Sequence, residues 1–119
     1  MSVYIDGYLL PVPNDRIEDY RRLALHAGAI WREHGALAYH ECVGDDLAVE
    51  GMAAFPQQLG IAPGEAVVFA WIVFASRAER DRINARVLAD PRLAGLAPAL
   101  VPFDCRRIVY GGFRTLVDL

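Results

Sequence analysis

Ala66-Val67-Val68-Phe69-Ala70-Trp71-Ile72-Val73-Phe74-Ala75 is apolar at every position. The stretch falls well short of the roughly 20 residues that a membrane-spanning helix needs, so it reads as a β-strand. Side chains of a strand point alternately to two faces, and here both faces ask to be buried. The helices of a short chain cover one face of a sheet. The other face then needs a partner, and association with a second copy is expected.

Outward from this strand, the neighbouring segments supply the rest of an α+β domain. On the C-terminal side, Ser76-Arg77-Ala78-Glu79 is a capping box that starts a helix at about Arg77. Ile83, Val87 and Leu88 give that helix an apolar side, Arg77, Arg80, Asp81 and Arg82 read as solvated, and Asp90-Pro91 ends it. A connection broken by Pro91, Pro98 and Pro102 leads to a last strand over Arg107 to Val117, where Gly111-Gly112 permits a bulge or the close approach of another backbone.

On the N-terminal side, Gly44 to Gly64 is too rich in Gly, Pro and Asp for a long regular element, and a loop of this length is often functional or an oligomer arm. Before it, Leu37 to Val43 alternates Leu37, Tyr39 and Glu41 with Ala38, His40 and Cys42, which fits a half-covered strand near a sheet edge. Ile17, Tyr20, Ala24, Ala27 and Trp31 recur at helical spacing, with Asn14 as a candidate cap and Gly35 as the stop. Val3 to Val12 is the first strand, with Tyr4, Asp6 and Tyr8 on one face, Val3, Ile5 and Leu9 on the other, and Pro11 and Pro13 stopping it. The order β-α-β-loop-β-α-β predicts one ferredoxin-like βαββαβ domain with an antiparallel sheet over residues 1–119.

Composition narrows the function classes. The chain has 119 residues, 55% of them apolar, with mean hydropathy +0.22, which is high for a small monomer and agrees with an apolar interface. A net charge of −3 disfavours nucleic acid, whose phosphates demand clustered cations. The N-terminus has no basic region followed by an apolar core, and no stretch reaches membrane length, so a cytoplasmic protein without membrane contact is expected. Cys42 and Cys105 form no CxxC pair, so free thiols are expected, with neither a disulfide framework nor a zinc site.

Several segments together resemble the YbaA-like family of uncharacterised bacterial proteins (domain of unknown function 1428). They are Tyr4-Ile5-Asp6-Gly7 with Pro11-Val12-Pro13, Trp31-Arg32-Glu33-His34-Gly35-Ala36, Glu41-Cys42, Phe69-Ala70-Trp71-Ile72, Asn84 with Ala89-Asp90-Pro91-Arg92, and Pro102-Phe103-Asp104 with Tyr110-Gly111-Gly112-Phe113. The resemblance spans nearly the whole chain and implies a dimeric α+β barrel, in which two ferredoxin-like sheets close face to face. Small monooxygenases, isomerases and haem-degrading proteins share that barrel, though fold analogy is weak evidence for chemistry. One departure stands out: Cys105 lies where the family resemblance implies a glycine before the basic pair Arg106 and Arg107, so Cys105 is a poor shared nucleophile.

Candidate chemistry lies in three groups. His34 and His40, beside Glu41 and Cys42, offer imidazole bases, but alternation sends His40 and Glu41 to opposite faces, so three metal ligands do not converge and no metal site is expected. For His34, capping the end of the first helix is the simpler role. Asp6, in an apolar strand, needs a hydrogen-bonding or cationic partner, and Asn84 beside Ile83 and Val87 is a candidate either to tie down a loop or to touch a ligand. Trp31, Trp71, Tyr39, Tyr110 and Phe113 offer walls for a pocket between sheet and helices suited to a small apolar or aromatic molecule.

Two functions fit these residues. One is a homodimer that binds such a molecule and acts on it without a cofactor, as a monooxygenase- or isomerase-like enzyme, with His34 or His40 as base, Tyr110 as donor, and Trp31, Trp71, Asn84 and Phe113 as ligand contacts. The other is a non-catalytic module for ligand binding or protein interaction. RNA binding fits least, because Tyr110-Gly111-Gly112-Phe113-Arg114 lacks the basic and aromatic pattern of sheet-based RNA readers.

Overall fold

Two ten-residue strands, β1 (Tyr4–Pro13) and β3 (Glu65–Phe74), pair antiparallel along their whole length, from Tyr4 opposite Phe74 to Pro13 opposite Glu65. β2 (Ala38–Val43) joins the outer side of β3, and β4 (Val109–Arg114) joins the outer side of β1, giving the order β2-β3-β1-β4. Between them lie α1 (Ile17–Glu33), α2 (Phe55–Leu59), α3 (Arg77–Leu88) and α4 (Pro91–Ala94). This is the ferredoxin-like arrangement. The computed structural model describes residues 2–96 and 100–119, so Pro98 of the proline-broken connection lies outside the described residues.

The molecule is a slab 39 × 38 × 20 Å, a thickness that fits one sheet and one helix layer about 10 Å apart. Register decides what faces the helices. Asp6, Tyr8 and Leu10 of β1 sit opposite Ile72, Ala70 and Val68 of β3, and these even-numbered residues form the covered face. Ile30 of α1, Ile72 and Phe74 of β3, and Ile83 and Val87 of α3 form one core cluster, and Leu10, Val12, Tyr20, Ala24 and Val68 form a second.

The odd-numbered residues form the other face. Ile5 and Leu9 lie beside Val73, Trp71 and Phe69, and Val109 and Phe113 continue the surface across β4. Its far end is sheltered by the long loop, where Leu47 and Phe55 close a hollow of about 150 Å³ against Leu9, Val67 and Phe69. Val67 is accordingly buried, while Phe69 is 48% and Phe113 61% exposed. Phe69, Val109 and Phe113 are exposed on this apolar face, and Ile5, Leu9, Trp71 and Val73 are half-buried.

Several local expectations are corrected. Pro11 does not stop β1, which runs on and ends at Pro13. β4 pairs with β1 only as far as Leu9, so these prolines lie where one side of β1 has no neighbouring strand and a missing amide proton goes unfelt. Asn14 caps nothing with its side chain: it stands in a 3-10 turn, and its backbone N–H donates to the Gly64 carbonyl at 2.8 Å.

The last strand is shorter than expected, and its register passes through Gly111 and Gly112 without a bulge. Side chains, rather than another backbone, need the space: a Cβ on Gly112 would collide with the Tyr4 hydroxyl and stand 2.8 Å from Arg80 Nη1. Leu88 faces outward at 75% exposure, since the inner face of α3 is the row Arg80, Ile83, Asn84 and Val87. Ser76 Oγ accepts the Glu79 N–H at 3.1 Å, one half of the capping box, while the Glu79 carboxylate accepts from Arg82 Nε–H at 2.7 Å. Gly35, at φ +118°, ends α1 in a conformation that only glycine adopts easily.

Candidate functional site

Two carboxylates lie on the covered face, in very different company. Asp6 is wholly buried. Arg80 Nη1–H donates to its Oδ1 at 2.7 Å, while Asn84 Nδ2–H and the Tyr110 hydroxyl each donate to Oδ2 at 3.0 Å. Trp31 Nε1–H donates in turn to Asn84 Oδ1 at 3.0 Å, and the Arg80 guanidinium lies over the Tyr4 ring, 4.9 Å from its centre. Spacing explains the arrangement: Arg80 and Asn84 are one helical turn apart on α3, so both reach the same strand position. Burial works against the Arg80 charge, but the Asp81 and Asp6 carboxylates hold its pKa above the ordinary range. A buried charge with a cation and two further donors is satisfied.

Glu41 is the second. It stands on β2, an edge strand, at the floor of a cleft of about 510 Å³ between that strand and α1. Ile17, Ala24, Leu25, Gly28, Val43 and Val68 make the walls apolar. The Tyr20 hydroxyl donates to Glu41 Oε1 at 2.6 Å, and the Tyr39 hydroxyl to Oε2 at 2.5 Å. No cation is paired with Glu41 among the described residues. Burial raises the Glu41 pKa above the ordinary value of 4.5, the two tyrosine bonds pulling the other way. Burial chiefly, and then the neighbouring Glu41 charge, raises the pKa of Tyr20 and of Tyr39, so both stay protonated donors. Gly28 makes room for this cluster, because a Cβ there would stand 2.6 Å from Tyr39 Cδ1.

The residues singled out from sequence are distributed rather than gathered. His34 does not cap α1 with its ring; Nε2 lies 2.9 Å from Asp90 Oδ2, tying α1 to the start of α4. Asp90 also accepts from Arg92, whose guanidinium, with His34, holds its carboxyl well below the usual range. His40 is on the open face, stacked on Trp71 with ring centres 4.8 Å apart. Tyr110 is on the covered face, its proton spent on Asp6 while its oxygen accepts Arg80 Nη1–H at 2.8 Å.

Trp31 and Asn84 bond each other beneath the helices, whereas Trp71 and Phe113 lie on the open face. The expected pocket uniting Trp31, Trp71, Tyr110 and Phe113 is thus split by the sheet itself, because the register puts Trp71 and Phe113 on the face opposite to Tyr110. Tyr39 alone of the candidate pocket aromatics reaches the cleft.

Three residues of consequence escaped notice. Arg80, read as solvated, is 13% exposed and partners Asp6. The signal was present: a carboxylate in an apolar strand demands a cation, and Arg80 precedes the inward-facing Ile83 and Asn84 by three and four residues. From sequence, Tyr20 reads only as core and Glu41 only as part of a possible metal cluster. Tyr39 and Glu41 share one face of β2, but Tyr20 comes from α1, and no spacing in the sequence says that the three meet. Cys42 and Cys105 are free and exposed, and no group of three or more His, Cys, Asp or Glu side chains poised for a metal ion occurs among the described residues. Among them, too, no helix is long and apolar enough to cross a membrane.

Comparison with known proteins agrees with this architecture. The chain is 35% identical over 115 residues to the uncharacterized protein YbaA of Escherichia coli K12, covering 97% of each chain, and equally so to YbaA of Shigella flexneri. A NIPSNAP family protein of unknown function from Agrobacterium tumefaciens superimposes with a TM-score of 0.57 at 16% identity, over 95% of this chain and 87% of that one, and so shares the fold. The profile of the family described as protein of unknown function (DUF1428) matches residues 3–105. The chain belongs to the DUF1428 family and is a relative of YbaA.

Proposed function

We propose that this protein is a homodimer that binds a small apolar or aromatic molecule in the cleft between α1 and β2, with Glu41 as the group that acts on it. The observation that carries the proposal is Glu41 itself: a carboxyl raised in pKa by burial, held by two hydroxyls at the floor of an open apolar cleft of about 510 Å³. Ligand sites of this size are typically apolar with a few fixed polar groups. A carboxylate made more basic by its surroundings, and held in one position, suits removal of a proton from a weakly acidic group.

The chemistry that fits is isomerase-like: Glu41 takes a proton from one atom of the bound molecule and returns it to another, without a cofactor. His34, His40 and Tyr110 are assigned structural or interface roles, since His34 and Tyr110 already bond Asp90 and Asp6 and His40 lies on the open face. The homodimer is supported by the exposure of Phe69, Val109 and Phe113 on one sheet face, with Trp71 between them.

Two measurements test the proposal. Light scattering behind size exclusion is expected to give twice the 13.2 kDa subunit mass at micromolar concentration; a monomer would remove the dimer. A metabolite screen by ligand-observed NMR, repeated with Glu41→Gln, tests the site: binding kept and turnover lost in the variant supports the catalytic role. Binding with no turnover in the wild type supports the second reading, a non-catalytic binding module, which is favoured by the fact that both Glu41 oxygens already accept a bond.

A further inference from the structure

We infer that the molecule held in the α1–β2 cleft turns a hydrogen-bond donor, a hydroxyl or an amine, toward Glu41, and that a carboxylate or phosphate head is excluded there while Glu41 is ionised. The inference rests on the cleft being the ligand site, as proposed above, and adds the polarity of what it takes.

An ionised carboxylate has about four lone-pair positions and no proton to give, and a tyrosine hydroxyl has one proton and two lone pairs. Tyr20 spends its proton on Glu41 Oε1 and Tyr39 spends its own on Oε2. Both side-chain donors at the floor are therefore used, while lone pairs remain on all four oxygens. Protonating Glu41 still leaves three protons among four oxygens, so acceptors outnumber donors in either state. With Glu41 charged, an incoming acceptor would find no free side-chain proton at the floor and would meet a like charge. An incoming O–H or N–H finds a free lone pair at once.

The cations near the cleft do not reverse this. Arg21 and Arg32 line it from the exposed side of α1, and the Arg21 side chain, 68% exposed, already bonds Glu18 at 3.1 Å. Solvent-exposed cations at a mouth attract an anion weakly, because water screens them. The walls next to the floor, Ala24, Gly28 and Val68, carry no polar side-chain atom and select an apolar body.

Four probes with one body and different heads test the inference: phenylpropanol, phenylpropylamine, phenylpropionate and propylbenzene. Affinity is read by calorimetry on the wild-type protein, and the site by amide chemical shifts. The expected result is that the alcohol or the amine binds at least about tenfold more tightly than the acid, with shifts at Gly28, Glu41 and Val43. A salt-dependent preference for the amine, or a salt-independent one for the alcohol, tells which donor is favoured.

Glu41→Gln, whose amide supplies protons of its own, is expected to narrow the gap by raising the affinity of phenylpropionate. The probe series on the wild type stands whether or not that variant folds. Phenylpropionate binding in the cleft as tightly as the alcohol and amine would overturn the inference and leave the cleft as a ligand site. Absence of binding by all four probes at millimolar concentration would remove the cleft as the ligand site, and the inference with it.

Discussion

Asp6 and Glu41 share the covered face of the sheet, with β3 between their strands, and are opposites in their surroundings. Asp6 lies in β1, a central strand roofed by α3, and meets a cation, an amide and a hydroxyl, with no exposed surface. Glu41 lies in β2, an edge strand, and meets two hydroxyls under an open cleft. The first arrangement neutralises a charge by surrounding it, as a folded interior requires. The second leaves a carboxyl basic and reachable, as chemistry requires. Location in the sheet makes the difference: a helix turn can deliver Arg80 and Asn84 to a central strand, while between α1 and the edge strand the small residues Ala24 and Gly28 leave space unfilled.

The largest effect expected from breaking this comparison is at Asp6. Asp6→Asn leaves the Arg80 guanidinium beneath α3 without its buried counter-charge, and a loss on the order of 3 kcal/mol is expected in urea denaturation. A loss below about 0.5 kcal/mol, the scale of an ordinary surface change, would contradict the structural role given to this pair. Next is Gly112→Ala, which pushes a methyl into Tyr4 and Arg80, and is expected to cost about 1–3 kcal/mol through the same network. Ser76→Ala removes the cap of the helix that carries Arg80 and Asn84, and about 1 kcal/mol should be lost in thermal unfolding without altering ligand binding in the cleft.

Glu41→Gln is expected to have the smallest effect on stability, and its sign depends on pH. The folded-state pKa of Glu41 lies above its ordinary value of 4.5, so its favourable contribution is complete below that value and is lost as pH rises through the higher, folded one. The variant should thus match the wild type near about pH 4 and gain on it toward about pH 8. A variant that loses ground as pH rises would show that the Glu41 carboxylate is stabilised when charged.

How far the chain could be read in advance follows the same divide. Strand alternation and the 3.6-residue period of the helices are local, and they were enough for the element order, the capping box at Ser76, the edge position of β2 and the apolar open face around Trp71. The need of Asp6 for a partner was legible too, from a lone acid in an apolar strand. Its partner was not, because Arg80 sits among Arg77, Asp81 and Arg82 and looks like one more solvated charge. The cleft was still less legible, for it depends on the gap between α1 and β2, and on Tyr20 and Glu41 meeting from positions 21 residues apart. Gathering Trp31, Trp71 and Phe113 into one pocket failed because aromatic character says nothing about which side of a sheet a residue takes.

The most direct test of the contrast is carboxyl carbon NMR of the side chains of Asp6 and Glu41 through a pH titration, with and without phenylpropanol. Glu41 is expected to titrate above 4.5 and to shift when the alcohol is added, while the Asp6 signal stays unmoved by it. A Glu41 carboxyl that titrates at or below 4.5 and ignores the alcohol would contradict the account.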